Sequence, residues 1–149
     1  MSLIDDILGN YALWIALCAW FAAQVLKIII ELLRNRRLNL RLLMSSGGMP
    51  SSHSSFVTAV TTVIGLTEGF DSPIFALGAI VSLIVMYDAS GVRRAAGNQA
   101  KVINDLLASI ENTGIKLDKK LKEMLGHTPI EVAAGSILGI IIALALYQY

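Results

Sequence analysis

Cysteine is almost missing from this chain. Cys18 is the single one and lies inside an apolar run, so neither an intrachain disulfide nor a cysteine metal site can form. Charged residues are scarce as well, at 15%, and the formal net charge is only +1. Bulk electrostatics therefore says little about partners, and the placement of each charge carries the information. The N-terminus opens on Asp5 and Asp6 where a secretory leader would have a basic region, and no short apolar core with a small-residue cleavage site follows. The first hydrophobic segment is expected to be retained. Strand-like alternation and internal repeats are absent too, beyond the generic likeness of apolar spans.

Apolar residues fill the space, at 55% of 149 residues with a mean hydropathy of +0.66, which is too apolar for an ordinary soluble protein of this size. The expected architecture is an all-α integral membrane bundle forming one domain over residues 1–149. About four transmembrane helices are expected, near 11–33, 54–69, 73–87 and 130–149. The first is long enough to cross a hydrocarbon core of ~30 Å at ~1.5 Å per residue. The second is softened by Thr58, Thr61 and Thr62, whose hydroxyls can bond back to the helix or across to a neighbour. The third is short and needs flanking residues or local thinning. In the fourth, Gly135 and Gly139 form a small face suited to close helix packing.

The connections separate by charge. Arg34, Arg36, Arg37 and Arg41 follow the first span, whereas Glu68 and Asp71 lie between the second and third. The positive-inside rule then places the arginine loop in the cytoplasm and both termini outside. The third connection, residues 88–128, falls on the arginine side. Val102, Ile103, Leu106, Leu107 and Ile110 recur at helical spacing, Asn112-Thr113-Gly114 supplies a stop, and Leu117, Leu121, Met124 and Leu125 resume the pattern. Two amphipathic cytoplasmic helices are expected there.

The unusual polar residues gather at the cytoplasmic span ends. GGMPSSHSS, Gly47 to Ser55, has the makings of a phosphate cradle: glycines for close backbone approach, Pro50 to start a helix, early-turn amides at Ser51 and Ser52, and His53 to exchange a proton. A capped linker is the alternative reading of the same residues. Lys27 and Arg34 are seven apart and share a helix face, and a lysine inside a span is a functional candidate by default. Lys27 could equally snorkel or pair with Glu31. Thr128, Pro129 and Glu131 form a capping-box pattern that leaves His127 unexplained, and whether one carboxylate can serve both cap and histidine is open. Arg93 and Arg94 are a natural fork for phosphate oxygens or a pair of headgroup charges, and Asp88 either pairs with one of them or caps the next helix.

Together, Lys27-x6-Arg34, Pro50-Ser51-Ser52-His53 and His127-x3-Glu131 resemble the motifs of the type 2 phosphatidic acid phosphatase and vanadium haloperoxidase superfamily. GGMPSSHSS with YDASGVRRAAG (Tyr87 to Gly97) is similar to its small divergent branch. The resemblance runs from Lys27 to the start of the last span. Asn35 stands where that family has proline, Ser52 where it has glycine and Glu131 where it has aspartate. The arginine expected six residues before His127 is absent, because Leu121 occupies the position. Arg93, Arg94 or Lys120 is left to replace it.

The resemblance implies a hydrolase of a lipid phosphate or polyprenyl diphosphate that needs no metal or other cofactor. His127 would attack phosphorus, His53 would act as acid and then base, and Glu131 would fix the His127 tautomer. Lys27, Arg34 and an arginine of the 93–94 pair would hold the phosphate with Ser51, Ser52 and the amides near Gly48. Apart from the resemblance, Asp88 stands where pairing with an arginine could orient it. The implied partners are the lipid substrate and the bilayer, not nucleic acid, with a homo-oligomer left open. The alternative is a non-catalytic membrane protein or scaffold that binds phosphate headgroups.

Overall fold

The computed structural model describes residues 2–36, 38, 47–111, 121 and 126–147, and every regular element among them is a helix. A short α1 (Leu3–Leu8) is closed by a reciprocal Ser2–Asp5 capping box. Asn10 caps α2 (Tyr11–Asn35) by accepting from the Leu13 N–H at 3.1 Å. Ser51 caps α3 (Ser52–Glu68) and Ser72 caps α4 (Pro73–Ser90), with Pro73 in the first turn, where its missing N–H costs nothing. Beyond Gly91 comes α5 (Val92–Glu111), and α6 (Pro129–Leu146) follows a Thr128 cap. Two sequence boundaries shift. The second helix begins after Pro50, at Ser52, and the third runs on through Ser90 because Asp88 and Ala89 stay helical.

Among the described residues three helices are long and apolar enough to cross a membrane: α2, the helix that begins at Pro73, and α6. At 17 residues α3 is shorter, yet it is the centre of the bundle, packed against α2, α4 and α6. This explains its polarity. Its hydroxyls bond to the helices around it: Ser55 to the Ala19 carbonyl at 3.0 Å, Thr58 to the Ser136 carbonyl at 3.1 Å, and Thr61 with Ser82 at 2.9 Å. Close approach of α3 to α6 depends on Gly135 and Gly139, where any added Cβ would collide with the Ser51 or Ser55 carbonyl. Outward faces are apolar instead, as at Leu77, Ile80 and Leu83 on α4 and at Ile137, Ile141 and Leu144 on α6.

The first amphipathic helix of the third connection is present as α5, with Val102, Ile103, Leu106 and Ile110 exposed along it. The second one, the Asn112-Thr113-Gly114 stop, and Lys120 lie outside the described residues.

Candidate active site

At one end of the bundle the C-terminal half of α2, the first turn of α3, the end of α4 and the start of α6 converge. His127 sits where they meet. Its backbone N–H donates to the Ala89 carbonyl at 2.8 Å, which ties the residue to the last turn of α4. Its ring Nδ1 donates to Glu131 Oε2 at 3.2 Å, and the same oxygen accepts the Thr128 N–H at 2.9 Å. One carboxylate therefore serves both tasks that the sequence sets in competition. Thr128 completes the capping box by accepting the Glu131 N–H. The opposite ring nitrogen, Nε2, is buried and meets no hydrogen-bond partner among the described residues. The whole residue is only 2% exposed. Burial pushes its pKa below the ordinary 6.5, while the bond to Glu131 and the Gly48 backbone work in the other direction. Burial thus favours the neutral imidazole, and with Nδ1–H given to Glu131 the lone pair falls on Nε2.

His53 stands in the first turn of α3, ahead of the apolar part of that helix. Its ring centroid is 6.2 Å from that of His127 and the two rings meet edge-on. Burial lowers its pKa, and Arg93, His127 and Lys27 lower it further by charge, against a smaller opposing effect of Asp88.

Lys27 is 2% exposed, so it does not snorkel, and its Nζ donates to Ser52 Oγ at 3.2 Å. Glu31 bonds instead to Asn35 Nδ2 at 2.8 Å. Glu131 lies close enough to Lys27 for their charges to attract. Gly48 lies alongside, where an added Cβ would stand 3.9 Å from Lys27 Cδ.

The arginines separate. Arg93 Nε donates to Asp88 Oδ2 at 2.7 Å, and both residues, with His53, line the polar mouth of a cavity of about 650 Å³. Arg94 is exposed and does not line that cavity. Its backbone lies under Gly126, whose φ of +85° and lack of a Cβ let the segment before His127 pass over the start of α5. Arg34 is exposed, seven residues and roughly 10 Å along the axis beyond Lys27. Ser51 is drawn away from the mouth. Its N–H donates to the Glu131 carbonyl at 2.9 Å and its hydroxyl is engaged with Ser54 at 3.0 Å.

The structure therefore brings together His127, Glu131, His53, Lys27, Ser52, Gly48, Asp88 and Arg93. It leaves Arg34, Arg94 and Ser51 outside the cluster. Sequence reasoning missed the Ala89 carbonyl and Gly126; a main-chain acceptor leaves no side-chain signal, and an isolated glycine reads as loop. Among the described residues no group of three or more His, Cys, Asp or Glu stands close enough to hold a metal ion.

The family model described as "Divergent PAP2 family" matches residues 8–142, which takes in every element of this site. The chain belongs to this family. This member of the divergent PAP2 family is also 44% identical to a Bacillus subtilis (strain 168) relative named "Uncharacterized membrane protein YuiD", over 97% of this chain and 98% of the relative. No solved structure matches. Its span-length helices and this likeness place the divergent PAP2 protein in a membrane.

Proposed function

We propose that the protein hydrolyses a lipid phosphate or polyprenyl diphosphate without a metal, through a phosphohistidine on His127, at the cytoplasmic face of the membrane. The observation that carries the reading is the division of one imidazole: Nδ1 is committed to Glu131, and Nε2 is buried without a side-chain partner among the described residues. A nucleophilic histidine needs one nitrogen pinned by an acceptor so that the other presents its lone pair. Attack by Nε2 forms the P–N bond as the P–O bond to the leaving group breaks, and His53 delivers a proton to the departing oxygen. Water then attacks phosphorus, His53 takes its proton, and the P–N bond breaks to release inorganic phosphate and restore His127. Lys27 and Arg93 neutralise the equatorial oxygens.

His127 is shut off from solvent in the described arrangement, so phosphate entry needs side chains around it to move, and for Arg93 to hold the phosphate it would exchange Asp88 for it. That closure favours a second reading, a headgroup-binding protein without turnover. The two separate on one experiment. Purified protein given a radiolabelled lipid phosphate and quenched in alkali retains label on His127 if the reaction proceeds as proposed. Saturable binding with neither trapped label nor phosphate release assigns the second reading. Labelling of a cysteine placed at Arg36 from the cytoplasmic side supports the orientation, and labelling from outside reverses it.

A further inference from the structure

α2 and α4 each pack on α3 without packing closely on one another. The space between them is a cleft floored by α3 and open on the apolar exterior, and its polar mouth is the His53–Asp88–Arg93 cluster. From the mouth inward every wall turns apolar within one helical turn. On α3 His53 gives way to Phe56 and Val57, on α4 Asp88 gives way to Ile84 and Val85, and α2 contributes Trp20 and then Leu17. Ile84, at 62% exposed, marks the side that opens away from the protein. A soluble phosphate ester has no use for such a wall, whereas a lipid-borne one enters sideways from the bilayer with its phosphate held back at Arg93 and His53.

We infer that this cleft binds the hydrocarbon tail of the substrate and that it is sized for one chain, so the preferred substrate is a single-chain lipid phosphate or diphosphate, not a two-chain glycerolipid. The inference rests on the hydrolytic reading only for the word substrate; the tail site stands on the geometry. Its volume of about 650 Å³ is roughly twenty times the ~30 Å³ that a water molecule takes in the liquid, and a methylene group is of similar size. That is one chain's worth. Charge complements the arrangement, since the cations stand only at the mouth and the described walls beyond it carry none.

The test uses the full-length protein in detergent micelles or vesicles and a single-chain alkyl phosphate that bears a photoreactive diazirine near its tail. Irradiation is expected to label peptides containing Leu17, Trp20 or Ile84 in wild type and equally in the His127→Ala protein. An unlabelled single-chain phosphate should displace the probe, and a two-chain phosphate should do so at least about tenfold more weakly. Val85→Trp, which fills the cleft, should weaken probe binding about tenfold, the effect of excluding about two methylenes from an apolar wall. Leu17→Trp at the open edge is the second variant, for use if Val85→Trp does not fold. Labels elsewhere on the chain, equal displacement by the two-chain lipid, or undiminished binding in both tryptophan variants overturns the inference. Tail labelling without phosphate release leaves the cleft standing and removes the hydrolytic reading; phosphate release with the tail bound elsewhere does the reverse.

Discussion

Glu131 Oε2 accepts from His127 Nδ1 at 3.2 Å and from the Thr128 N–H at 2.9 Å, so the first turn of α6 and the orientation of the imidazole depend on one oxygen. The coupling goes further, because the Glu131 carbonyl accepts the Ser51 N–H and thereby holds the start of α3, with His53, beside His127. Local capping and site geometry are one network.

Glutamine at position 131 separates the two roles. It preserves a capping-box side chain but loses the carboxylate that stabilises an imidazolium and fixes its tautomer. Glu131→Gln is expected to keep thermal stability within about 1 kcal/mol of wild type while phosphate release falls about a hundredfold or more. Glu131→Ala should lose both. Parallel melting curves and turnover assays decide it, and full activity in the glutamine variant would remove Glu131 from the mechanism.

Lys27 is buried, and it points at the site through Ser52. Lys27→Met keeps the length and the apolar stem that packs in the bundle while deleting the charge, so folding should survive. Loss of one preorganised cation is expected to cost about 10²–10³ in kcat/KM. Steady-state kinetics against a detergent-solubilised lipid phosphate measures it, and a loss below threefold would assign Lys27 a packing role.

Arg93 and Arg94 are adjacent in sequence and opposed in placement. Arg93→Gln should cut turnover about a hundredfold, as expected for a lost oxyanion-stabilising group. Arg94→Gln, outside the cavity, should stay within about twofold of wild type, as surface changes usually do. The reverse ranking would move the functional arginine to Arg94.

Both histidines have pKa values below the ordinary 6.5 in the free protein, chiefly through burial. The proposed cycle needs His127 neutral and His53 protonated. His127 loses its proton as pH rises through its lowered value, which sets the acid limb; His53 also loses its proton below 6.5, which sets the falling limb. The kcat/KM profile, which reports groups of the free enzyme, is therefore expected to peak on the acid side of 6.5 and decline toward pH 8. A profile still rising between pH 7 and 8 would exclude this assignment of the two histidines.

Much of this arrangement is legible in the chain. Apolar runs with Asn10, Ser51, Ser72 and Thr128 ahead of them mark the helix starts, because a cap is a bond between residues three apart. Lys27, His53, His127 and Glu131 stand out because ionisable groups beside apolar spans are rare and costly. Ser51 shows what the chain alone does not carry. As a sequence position it offers an amide and a hydroxyl to a ligand, but both are taken by Glu131 and Ser54 once α6 docks. Arg34 stands exposed beyond the cluster, since a shared helix face says nothing about where the neighbouring helices end.

Local pattern was enough for an all-helical membrane protein with its polar chemistry at one end, because hydropathy and capping act over a few residues. Packing across helices settled the rest. It put the least apolar helix, α3, at the centre, where Ser55, Thr58 and Thr61 find partners on α2, α6 and α4. It set Arg93, paired with Asp88, at the mouth of the cavity with Arg94 outside it, and it opened the cleft between α2 and α4. The contacts of α3 and the walls of the cleft join residues far apart in sequence, so the information that decides them exists only when the helices are docked.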